Sequence, residues 1–134
     1  MQAEYESLTM AATTKIKITA GRVSLAAALN DSDTASRIIR ALPITASANR
    51  WGNEIYFTVA VTAGAENPKA VVAMGDLAYW PPGRAFCIFF GPTPASEGDD
   101  IRPASPVNVV GQVTGDATAL RQVQDGEPVR IELA

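Results

Sequence analysis

A chain of 134 residues, 47% hydrophobic and 19% charged, is the size of one domain. It buries roughly two-thirds of its unfolded surface, which excludes a disordered or low-complexity polymer. A net charge of −3 without a Lys/Arg run removes the electrostatic footprint of a nucleic-acid binder, and no apolar run approaches the twenty or so residues of a membrane helix. Histidine is absent and Cys87 is the single cysteine, so the commonest general base, the partner of a nucleophilic Ser or Cys, and the commonest zinc ligand are all missing.

Met1 to Ala12 mixes acids with small residues and has no period. Residues 1–14 are therefore expected to be a flexible arm, ahead of one domain over 15–134. The start carries no basic end leading into an apolar stretch, and with a lone cysteine this gives a cytoplasmic expectation. From Lys15, Ile16 and Ile18 alternate with Lys15 and Lys17, Ala20-Gly21 turns the chain, and Val23 and Leu25 continue, which predicts an opening hairpin. Asn30 to Asp33 offers capping side chains, and Ala35, Ile38, Ile39 and Leu42 follow at helical spacing until Pro43, so one short amphipathic helix is expected.

Ile44 to Val61 is broken by Gly52-Asn53, and beyond it Ile55, Phe57, Val59 and Val61 alternate with Glu54, Tyr56, Thr58 and Ala60. This is a second hairpin or a bulged strand. Leu77 to Trp80 predicts a short strand stopped by Pro81-Pro82-Gly83, and Ala85 to Phe90 is apolar throughout, the mark of a strand covered on both faces. Gly91 to Pro106 is a long loop. Val107, Val109 and Val113 predict another strand, Asp116 caps a short helix through Gln122, and Val129 to Leu133 closes the chain. Many short strands without βαβ alternation favour a closed barrel, with a flattened two-sheet sandwich as the alternative.

Four stretches carry a resemblance. They are Trp51-Gly52-Asn53-Glu54-Ile55-Tyr56-Phe57, Glu66-Asn67-Pro68, the run from Gly75-Asp76 through Trp80-Pro81-Pro82-Gly83-Arg84 to Gly91-Pro92-Thr93-Pro94, and Arg102-Pro103-Ala104-Ser105-Pro106-Val107-Asn108 to Gly111. On these the chain resembles a family of small prokaryotic proteins with an atypical cyclophilin-like barrel and no established function. The resemblance implies a mainly β fold, a closed cyclophilin-like β-barrel with one or two short helices.

Cyclophilins twist an X-Pro amide, whose rotation barrier is about 18–20 kcal/mol, by gripping the proline in an apolar pocket and donating from an Arg. The Phe-His-Arg run that carries that Arg is not found here. Arg50, in Ala48-Asn49-Arg50-Trp51, and Arg84 are the candidate donors, and each adjoins a predicted turn where an exposed Arg is ordinary. Among the aromatics Tyr56, Tyr79, Trp80, Phe86, Phe89 and Phe90, the Phe residues are assigned to the core. Glu54 and Tyr56 share one strand face and are the leading ligand-binding residues, with Ser105 and Asn108 in the Pro-rich loop as further candidates. Cys87 reads as a small buried filler, not a nucleophile. Asp99-Asp100 reads as a solvated loop tip, so no metal and no cofactor are expected. The functional expectation is a cleft for a small molecule or an extended peptide, with no nucleic acid and no membrane as partners; the alternative is an atypical peptidyl-prolyl isomerase.

Overall fold

The computed structural model describes residues 13–134. The arm expected over residues 1–14 falls outside them except for its last two positions. Among the described residues nine strands form one antiparallel sheet: β1 (Thr14–Ala20), β2 (Val23–Leu29), β3 (Ile44–Ser47), β4 (Asn49–Arg50), β5 (Glu54–Thr58), β6 (Asp76–Trp80), β7 (Ala85–Phe89), β8 (Asn108–Val113) and β9 (Pro128–Leu133). One helix, α1 (Asp33–Ala41), and two 3-10 turns, Pro81–Gly83 and Ala117–Gln122, complete the described elements.

The strand order is β3-β9-β1-β2-β8-β6-β7-β5-β4. Its two outermost strands are consecutive in the chain: β3 pairs with β9 and β4 with β5. Buried Ala48 joins them, donating to the Glu127 carbonyl and accepting from the Gly126 N–H, both at 2.8 Å. One segment thus serves both edges of the sheet and nearly closes it into a barrel, leaving little open edge.

The opening hairpin forms as expected, with Ala20 opposite Val23 and Gly21 at a φ of +56° that favours glycine. Alternation along β1 and β2 sends Ile16, Ile18, Val23, Leu25 and Leu29 into the barrel. Helix α1 is capped by Ser32, whose Oγ accepts from the Ala35 N–H at 3.2 Å. Its Ala35 and Ile38, fully buried, join the same core. The Glu66 carboxylate reaches back to the helix start and accepts from the N–H of Asp33 (3.0 Å) and of Thr34 (2.9 Å). These donors lack partners within the helix.

Two features go beyond what the local pattern gives. Asp116 does cap the segment after it, accepting from the Thr118 N–H at 3.0 Å, but that segment is a 3-10 turn. On β8, Leu77 pairs with Gly111 while Ala78 pairs with Val109, so Val110 is one residue too many and the strand bulges there. A bulge changes which face each residue meets. Val110 and Val113 therefore enter the barrel, whereas Val107 and Val109 lie with a second cluster outside it. Gly111 sits where β2 and β8 press together, since a Cβ there would stand 2.2 Å from the Ala28 carbonyl oxygen.

That second cluster explains the apolar run of β7. Phe86, Ile88 and Phe90 face the barrel interior, with the Phe86 ring stacked on Phe57 at 5.6 Å, whereas Ala85, Cys87 and Phe89 face outward beneath the long loop. Both faces are covered.

Candidate functional site

On the outer face, β5, β7 and β6 lie side by side, with Glu54 opposite Phe89, Tyr56 opposite Cys87, and Cys87 opposite Ala78. Small side chains at Ala78, Ala85 and Cys87 leave room between the sheet and the loop above it. The result is a cavity of about 260 Å³ lined by Trp51, Glu54, Tyr56, Trp80, Cys87, Pro103, Ala104 and Val107.

The local sequence holds each wall in place. Trp51 and Glu54 close the β4–β5 turn, each N–H donating to the other's carbonyl (2.9 and 3.2 Å), so the indole and the carboxyl stand across from one another at the hairpin's end. Gly52, at a φ of +61°, tucks under the long loop, where a Cβ would meet Pro94 Cδ at 2.8 Å. Asn53 ties turn to loop, its N–H and Nδ2 both donating to the Pro92 carbonyl at 3.1 and 3.0 Å.

Trp80 is held from two sides. A Cβ on Gly83 would stand 2.7 Å from its Cζ3, so the bare Gly83 lets the ring lie against the 3-10 turn, and its Nε1 donates to Ser105 Oγ at 2.6 Å. The loop is stitched internally by Ser96 Oγ, which accepts from the N–H of Thr93 (2.9 Å) and of Arg102 (3.1 Å), while Thr93 Oγ1 donates to the Arg102 carbonyl. Pro103, Ala104 and Val107 are thereby presented as a preformed roof.

Glu54 is 6% exposed. Burial pushes its carboxyl up to about 7, and a hydrogen bond with Cys87 only partly offsets this. Burial likewise pushes the Cys87 thiol well up, reinforced by the adjacent carboxyl, which makes it a poor nucleophile. None of the lining residues is Lys or Arg.

The other sequence candidates are placed as follows. Glu54 and Tyr56 are together in the cavity wall. Ser105 is not among the lining residues, and its hydroxyl accepts from the Trp80 indole of the wall. Asn108 is buried on the far side of the loop. There it accepts from the Glu66 N–H (2.8 Å) and donates to Thr34 Oγ1 (3.1 Å) and to the Gly64 carbonyl (2.8 Å), linking the Glu66 loop to the start of α1. Arg50 donates to the carbonyls of Gly52, Arg121 and Val123 and lies 5.1 Å from the Phe90 ring centre. Arg84 ends the Pro81–Gly83 turn in a left-handed conformation, exposed. Neither arginine lines the cavity.

Of the aromatic set only Tyr56 and Trp80 line it. Tyr79 is in the barrel core, its hydroxyl donating to the Val61 carbonyl at 2.6 Å. Sequence reasoning missed Trp51, Pro103, Ala104 and Val107. The signal for Trp51 was its place just before Gly52-Asn53, directly across the turn from Glu54. Asp100 has a structural task in the loop, accepting from the Glu97 N–H (2.8 Å) and pairing with Arg102 Nε (2.8 Å). No cluster of three or more metal-ligating side chains occurs among the described residues, and no helix among them is long and apolar enough to cross a membrane.

Comparison with known proteins agrees with this architecture. The model of the family described as cyclophilin-like matches residues 14–132. The solution structure of the hypothetical protein AF2241 from Archaeoglobus fulgidus is similar with a TM-score of 0.78 and 43% identity, over 92% of this chain and 96% of that one. No curated protein matches the chain significantly.

Proposed function

The chain belongs to the cyclophilin-like family, and from that premise we propose that it is a non-catalytic binding module taking a small molecule in the cavity over β5, β7 and β6. The observation that carries this reading is the cavity itself: about 260 Å³, with mostly apolar walls and one carboxyl, and with its rings and roof held by the hydrogen bonds above. Preformed apolar concavities with few polar groups are the usual form of small-ligand sites. A cavity of about 150 Å³ already takes a benzene, so this one has space for a larger organic ligand.

Family membership by itself brings no activity, because function resides in the site and not in the fold. Twisting an X-Pro amide calls for a fixed donor aimed at the substrate, and neither Arg50, whose Nε and Nη1 are engaged by three main-chain carbonyls, nor Arg84 lines the cavity. Binding without turnover accounts for the same walls without an unfilled catalytic role.

The test is a thermal-shift screen of the full chain against metabolites and short peptides. A ligand at one hundred times its Kd adds about 2.7 kcal/mol of stability, and the shift is expected to vanish in Ala104→Trp, which fills the roof from an exposed position. Silence across broad libraries overturns the reading, as does acceleration of X-Pro isomerisation by the wild type that Arg50→Ala abolishes.

A further inference from the structure

Resting on that binding reading, we infer that the cavity selects an organic cation, a small alkylammonium group whose positive centre sits between the Glu54 carboxylate and the rings of Trp51, Tyr56 and Trp80. Three of the eight lining residues are aromatic and one is a carboxyl. Aromatic faces carry negative potential and attract ammonium groups, most strongly where water is excluded. A buried carboxyl without a cationic partner is costly, and among the described residues no Lys or Arg lines the cavity or pairs with Glu54.

The nearby arginines are committed elsewhere. Arg50 is held by carbonyls, and Arg102 pairs with Asp100 at 2.8 Å and reaches Glu97 at 3.9 Å. A neutral ligand leaves the charge of Glu54 uncompensated, whereas an alkylammonium meets carboxylate and rings with its head and Pro103, Val107 and Cys87 with its alkyl part.

The same arrangement makes affinity depend on pH. The titratable groups facing Glu54 are Cys87 from β7 and Tyr56 from its own strand; Trp51, Trp80, Pro103, Ala104 and Val107 contribute none. With the Glu54 carboxyl raised to about 7 and the Cys87 thiol raised well above its usual value, the cation site is charged above neutrality and blunted below it.

Both tryptophans of the chain line the cavity, so intrinsic fluorescence reports on it directly. The experiment titrates the full chain with choline chloride, with its uncharged carbon isostere 3,3-dimethylbutan-1-ol, and with sodium chloride to match ionic strength. At pH 8 choline is expected to half-saturate at a concentration about tenfold lower than the isostere, a difference of about 1.4 kcal/mol. At pH 6 choline weakens severalfold while the isostere does not move. Glu54→Gln, nearly the same shape and uncharged, is expected to bring choline to the level of the isostere.

Equal binding of the two probes by the wild type overturns the cation assignment whether or not the variant folds, and leaves the binding reading standing. So does a screen that yields only neutral or anionic ligands while choline is silent. Silence of choline together with silence of the whole screen removes both.

Discussion

The two faces of β7 are equally buried and differently filled. Inward, Phe86 and Ile88, with Phe90 just beyond the strand, pack with Phe57, Ile55 and Leu77, large side chains that fill the nearly closed barrel. Outward, Ala85, Cys87 and Phe89 meet Ala78, Tyr56 and a loop, and the small residues leave a cavity. Burial alone therefore does not distinguish a core from a site. Side-chain volume does, since interiors are otherwise packed to crystal-like density.

Breaking the inner face has the largest expected effect. Phe86→Ala removes a fully buried ring stacked on Phe57 and is expected to cost about 3–5 kcal/mol in urea unfolding. Cys87→Ala, one position along and facing the cavity, is expected to cost about 1 kcal/mol or less, because the lost sulfur already bordered empty space. Similar losses from the two would erase the distinction between the faces.

Next in size is the pH dependence of the outer face. The Glu54 carboxyl is raised from 4.5 to about 7 by burial, so the folded state holds this proton more tightly than the unfolded one. Stability from this group is complete below about 4.5 and is lost as pH rises through 7, by up to about 3 kcal/mol. Comparing wild type with Glu54→Gln by urea unfolding at pH 5 and pH 8 isolates it: the wild type is expected to lose stability relative to the variant between those values. A constant difference would place the carboxylate in contact with water.

Glu66 gives the smallest and opposite signal. Hydrogen bonds from Thr34 hold its carboxyl below the ordinary value, so its contribution is present above about 4.5 and lost on acidification. Glu66→Ala is expected to cost about 1 kcal/mol at neutral pH by leaving the Asp33 and Thr34 N–H groups of α1 without their carboxylate acceptor, with the difference shrinking toward pH 3 and no change in the cavity's fluorescence.

The parts legible beforehand were those with a local cause. Period-two alternation put Glu54 and Tyr56 on the face opposite Ile55 and Phe57, and the unbroken apolar run of β7 announced cover on both sides. The bulge at Val110, which leaves Val109 outside the barrel and Val113 within it, is made by the pairing with β6 and leaves no mark in the spacing of valines. Asn108 looked like a loop ligand because nothing nearby in sequence reveals its hydrogen bonds with Glu66, Thr34 and Gly64.

Most strands and turns, the residues apolar enough for the interior, and the chemistries that lack their reagents were legible along the chain, because backbone propensity, side-chain period and residue type are local properties. That Trp51, Trp80 and Pro103 line one cavity with Glu54 was not legible there. Their meeting depends on a sheet order that brings β5, β7 and β6 together, and on a loop docked through Asn53, Gly52 and Ser105. Contacts between segments tens of residues apart arise only when the closing barrel fixes their distances.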